Sequence, residues 1–119
     1  GLEKGEIQLK ENGDIVKALE KARQNGKRTA LATVVGVTGS AYRREGAKML
    51  IDEDGQTTGV ISGGCLEPDV AETAVDVIKK GKPLLKEYDM DEETVWGLGL
   101  GCPGTVHLYI EPVREEGES

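Results

Sequence analysis

The two cysteines of the chain both stand among glycines, and chemistry is first expected there. Cys65 follows Ser62-Gly63-Gly64 and precedes Leu66-Glu67-Pro68, while Cys102 closes Gly97-Leu98-Gly99-Leu100-Gly101 and precedes Pro103-Gly104. A third segment, Gly39-Ser40-Ala41-Tyr42-Arg43-Arg44, carries two adjacent guanidinium groups. Glycines leave backbone N–H groups open to close approach, and a helix starting just after them adds partial positive charge. Guanidinium forks match phosphate oxygens, and a thiol near a helix start is biased toward thiolate. The ordinary alternatives are turn glycines, a solvated arginine pair and small buried thiols. For one segment the ordinary alternative prevails. For three, two of them holding the only cysteines, the pattern favours the walls of one pocket.

Several chemistries are excluded by type and spacing. Ser62-Gly63-Gly64 lacks the Gly-Lys-Thr ending of a Walker loop, and Gly-Leu-Gly-Leu-Gly lacks dinucleotide-fingerprint spacing. Two cysteines and one histidine do not make a closed zinc site. That histidine, His107, sits in an alternating strand pattern and is expected on its polar face. One histidine offers no Ser-His-Asp set, and neighbouring carboxylates fall in turns, so classical hydrolase chemistry is unsupported. Glu67 reads as a favourable charge in the first turn of a helix.

Composition narrows the class further. The 119 residues fit one domain, with 17 glycines and no phenylalanine. Aromatics are limited to Tyr42, Tyr88, Trp96 and Tyr109, so the core must be built from Val, Leu, Ile and Ala. A net charge of −7 without a basic stripe argues against nucleic acid, leaving Arg43-Arg44 as one local basic spot. No stretch reaches about 18 uninterrupted apolar residues, which argues against a transmembrane span. No basic-then-apolar leader opens the sequence. Two cysteines without such a leader read as intracellular thiols, with the cytoplasm as the expected compartment.

The elements that must position these residues follow from periodicity. Residues 1–13 read as a polar N-terminal segment. Asp14 is expected to cap a helix over 14–25 with Ile15, Ala18, Leu19 and Ala22 on one face, ending at Asn25-Gly26. Residues 28–37 predict a central strand buried on both faces. Strands are expected over 47–51 and 56–61, joined by a hairpin turning at Asp54-Gly55. Pro68 suits the first turn of a helix over 66–80, whose apolar face is Val70, Ala71, Ala74, Val75 and Ile78. Strands at 84–88 and 105–113 follow, and 114–119 reads as a disordered tail. The expected class is α/β: a single domain over 14–113 with a mixed sheet of about five strands and two main helices.

Over about Arg28 to Pro112 these residues resemble a known family. TVVGVTGSAYRREGAKMLIDEDGQTTGVISGGCLEPDVAETA, then WGLGLGCPG and VHLYIEP, are similar to the N-terminal domain of the XdhC/CoxI family. The resemblance implies a non-catalytic maturation factor for molybdenum hydroxylases such as xanthine dehydrogenase and carbon monoxide dehydrogenase. It implies binding of molybdenum cofactor (molybdopterin) as cargo, protection during sulfuration and insertion into the apoenzyme. The cargo-binding residues it implies are Ser40, Arg43, Arg44, Ser62, Gly63, Gly64, Cys65, Glu67, Gly99, Gly101 and Cys102. A pterin with a phosphate and a dithiolene-bound metal suits both backbone amides and soft sulfur. The implied partners are the hydroxylase apoenzyme, a cysteine desulfurase and further copies of the chain. Longer members carry a C-terminal Rossmann-like domain, for which 119 residues leave no room. Glu45 stands where the family commonly has Pro, and Pro103 where it has Gly. Two other functions compete: a thiol-dependent redox protein using Cys65 and Cys102, and an interaction domain lacking its Rossmann-like partner.

Overall fold

A computed structural model of the chain describes residues 2–38, 45–61, 66–89 and 105–113. Helix α1 runs over Leu2–Gln24, then β1 over Thr29–Thr38, β2 over Lys48–Asp52 and β3 over Thr57–Thr58. Helix α2 spans Glu67–Lys80, followed by β4 over Leu84–Asp89 and β5 over Thr105–Pro112. The five strands form one sheet in the order β3-β2-β1-β5-β4.

All four neighbouring pairs are antiparallel, so the sheet is not the mixed one expected. A parallel neighbour needs a crossover that returns beside its own strand. Here α2 instead carries the chain from one edge of the sheet at β3 to the other edge at β4. The expected count of five strands and two helices holds.

Helix α1 begins twelve residues before the expected start at Asp14, which lies within it. Leu, Glu, Lys and Gln, all good helix formers, dominate 2–12, and Gly5 and Gly13 do not break the run. The C-terminal stop at Asn25-Gly26 is as expected, with Gly26 at a φ of +69°.

The core lies between α2 and one face of the sheet. Val70, Ala74, Val77 and Ile78 of α2 pack on Ala30, Ala32, Val34, Met49, Ile51, Val106, Leu108 and Ile110. Gly81 ends the helix in a left-handed cap, its N–H donating to the Val77 carbonyl at 2.8 Å. On the other face α1 lies mainly against β2 and β3, with Thr29 at the start of β1 also buried. Strand β1 is therefore not buried on both faces: Leu31 and Thr33 are half-buried and Val35 is exposed.

The hairpin turns where expected. Asp52 organises it, with Oδ1 accepting the N–H groups of Asp54 and Gln56 at 2.9 and 3.0 Å, and Gly55 takes a φ of +84°. Strand β3 is two residues and not the six expected. Gly59 adopts a φ of +99° and turns the chain off the sheet, against the backbone of Lys48 and Met49.

Among the described residues no helix is long and apolar enough to cross a membrane.

Candidate functional site

The three glycine-bearing segments leave the folded body at one end of the sheet. Thr38, the last residue of β1, pairs with Thr105, the first of β5, and Thr105 also pairs with Asp89, the last of β4. The segment 39–44 therefore starts beside the two ends of the segment 90–104. Glu45 and Gly46 bring the chain back, with the Gly46 N–H donating to the Val34 carbonyl at 2.7 Å.

Helix α2 brings the third segment to the same end. Near its C-terminus, the Ile78 carbonyl accepts from Arg28 Nη1 at 3.4 Å, just ahead of β1. Its first turn reaches β4 near that strand's last residue, where Asp69 Oδ2 accepts from Tyr88 Oη at 2.5 Å and from Lys86 Nζ at 3.1 Å. Lys86 Nζ also donates to Thr73 Oγ1 at 3.0 Å and lies 4.9 Å from the centre of the Tyr88 ring. Residues 62–65, immediately before α2, thus leave the body at the end where β1 stops and β5 begins. Sequence reading missed the Asp69–Tyr88 pair, and no local signal marks it, since the residues are 19 apart.

Among the expected cargo-binding residues, Glu67 alone lies within the described residues. Its Oε2 accepts the Ile61 N–H at 2.9 Å and its Oε1 the Leu66 N–H at 3.3 Å. Ile61 and Leu66 are themselves buried, at 3% and 1% exposure. The carboxylate thus bridges the two anchored residues that flank 62–65, more than the dipole partner its position suggested. Ser40, Arg43 and Arg44, then Ser62, Gly63, Gly64 and Cys65, and finally Gly99, Gly101 and Cys102 lie outside the described residues.

Helix α2 begins without a side-chain cap from Leu66, and Glu67 and Asp69 complement its positive end. His107 sits on the sheet face away from the core, as expected, with Nδ1 3.6 Å from Glu87 Oε2 and its ring against Gly36. Among the described residues no group of three or more His, Cys, Asp or Glu could hold a metal ion.

Burial pushes the Asp69 carboxyl up, but hydrogen bonds from Tyr88 and Lys86 and the Lys86 charge outweigh it, leaving the group below its usual value. A lowered carboxyl adds stability that is complete above the unfolded value of about pH 4 and lost as pH falls through the folded one. The Asp69 side chain is 55% exposed, so solvent screening keeps the gain small. The expected result is that Asp69→Asn unfolds more readily than the parent at neutral pH. The gap should narrow below about pH 4 in urea melts run at stepped pH. A gap constant down to pH 2 would remove the carboxylate from the account.

Comparison with known proteins gives a consistent set of relatives. The sequence model of the XdhC and CoxI family matches residues 22–89. The chain is 36% identical over 106 residues to a probable xanthine dehydrogenase subunit of Bacillus subtilis (strain 168), covering 87% of this chain and 32% of that protein. It is 33% identical over 101 residues to the molybdenum cofactor insertion chaperone PaoD of Escherichia coli (strain K12), covering 84% and 31% respectively. A crystal structure of a xanthine dehydrogenase from Bacillus halodurans superposes with a TM-score of 0.71 at 40% identity, over 83% of this chain and 30% of that one. The chain spans about a third of the length of these relatives.

Proposed function

The chain belongs to the XdhC and CoxI family, and on that premise we propose that it is a maturation factor for molybdenum hydroxylases, holding molybdenum cofactor and passing it to the apoenzyme. One observation carries the reading to particular residues: the ends of three glycine-bearing segments gather at one end of the sheet. Two of those segments contain the only cysteines of the chain, and the third contains Arg43 and Arg44.

The cargo combines a phosphate with a metal held by a dithiolene, and the residue types divide accordingly. Arg43 and Arg44 supply positive charge for the phosphate, assisted by Ser40, Ser62 and the backbone amides of Gly63 and Gly64. Glu67 and Asp69 already complement the positive end of α2, so the arginines carry more of that task than the helix terminus does. Cys65 and Cys102 present sulfur toward the metal or its dithiolene, with Gly99 and Gly101 allowing close approach. The chain holds and transfers its cargo without catalysing a reaction of its own. Its proposed partners are the hydroxylase apoenzyme, a cysteine desulfurase and further copies of itself, and its proposed compartment is the cytoplasm.

The test is retention of molybdenum cofactor by the purified chain near neutral pH, followed by gel filtration and molybdenum analysis. Wild type is expected to carry molybdenum through the column. Cys65→Ala and Cys102→Ala should each weaken retention about tenfold or more, the effect of losing about 1.4 kcal/mol, with thermal stability little changed. Equal retention by wild type and the double variant would reject the site, and no retention by wild type would reject the cargo-holding role of this domain.

A further inference from the structure

Glu67 has an arrangement that a cargo ligand does not need. Both of its oxygens accept backbone N–H groups, Oε2 from Ile61 and Oε1 from Leu66. Those donors sit on either side of a four-residue stretch, Ser62 to Cys65, and their side chains are anchored in the core. A carboxylate so engaged is acceptor-only and negatively charged, which suits backbone amides and repels a phosphate. Its value at this position is its span: one rigid, planar group joins two chain ends six and one residues away.

We propose that Glu67 is a positioning residue, whose carboxylate fixes the separation of Ile61 and Leu66, the two anchored residues between which Cys65 lies in sequence. The idea rests on the cargo-holding role proposed above for the consequences of that placement, but not for the clamp itself. Length and charge make different demands. Aspartate keeps the charge but is one methylene too short to reach both amides. Glutamine keeps the length and one acceptor oxygen but loses the charge.

The experiment compares Glu67→Gln, Glu67→Asp and Glu67→Ala with the parent by amide hydrogen exchange, read at Ile61 and Leu66 against Val106 and Leu108 of the central strand. The expected result is exchange about tenfold or more faster at Ile61 and Leu66 in the Asp and Ala variants. The Gln variant, whose NH2 cannot accept, should keep protection at one of the two amides and lose it at the other, and the Val106 and Leu108 rates should change least. Molybdenum cofactor retention should follow the same order, with Gln between wild type and the Asp and Ala variants. Rescue by Asp and failure of Gln would make Glu67 a helix-dipole charge and overturn the proposal. So would unchanged exchange in all three variants, or uniform acceleration that includes Val106 and Leu108. Should wild type retain no cofactor, the cargo-holding role fails, while the exchange order still decides the clamp.

Discussion

Alanine at position 59 is expected to destabilise the fold by about 2–3 kcal/mol, lowering the melting temperature on the order of 10 °C. Two independent costs converge there. Gly59 has a φ of +99°, which L-residues rarely adopt, and an added Cβ would lie 2.5 Å from the Lys48 carbonyl oxygen and 3.3 Å from Met49 Cα. Both neighbours are backbone atoms of β2, so neither moves aside without disturbing the sheet. Gly26 provides the internal comparison. Its φ is +69°, yet nothing lies within 4 Å of the added Cβ. Gly26→Ala therefore carries the conformational cost alone, about 1–2 kcal/mol. Thermal or urea melts of the two variants separate strain from clash. Equal losses would mean that the close approach of residue 59 to β2 contributes nothing. The position also bears on the site, because Gly59 directs the chain toward Ile61, one of the two anchors joined by Glu67.

The second large effect is expected at the other anchor. Leu66 is 1% exposed and packs in the core with Val70 and Ala74, although it follows Cys65 directly in sequence. Leu66→Ala removes buried methyl and methylene groups and opens a cavity beneath the first turn of α2, at a cost of about 2–5 kcal/mol. Cys65→Ala next to it is expected to change stability little and to show its effect in cofactor retention. The pair of neighbours therefore separates packing from binding. Urea denaturation of both single variants checks it: a Leu66→Ala loss below about 1 kcal/mol would contradict the burial of that side chain.

Helix α2 was legible almost residue for residue. Pro68, the acidic first turn, the apolar face and Gly81 are local signals, and the observed span of Glu67–Lys80 differs from the expected one by a single residue. The hairpin was legible for the same reason, because Asp52 and Gly55 write its geometry within five residues. Helix α1 was only half legible. Gly13 and the polar stretch before it suggested a start at Asp14, whereas the run of good helix formers continues to Leu2.

Sequence alone carries the local elements, the residue types suited to an anion and a soft metal, and the family those segments mark. Each follows from a short window: side-chain spacing, turn chemistry, or a motif. The fold sets everything that depends on which windows become neighbours. It made every strand pair antiparallel, because α2 carries the chain from edge to edge of the sheet and not back beside its own strand. It brought Thr38, Asp89 and Thr105 side by side, so that segments far apart in sequence leave the sheet together. It joined Asp69 to Tyr88 across 19 residues, and it turned Glu67 from a helix-dipole charge into a bridge between Ile61 and Leu66. A carboxylate's role depends on which donors lie within about 3 Å of it, and strand pairing and core packing set that distance.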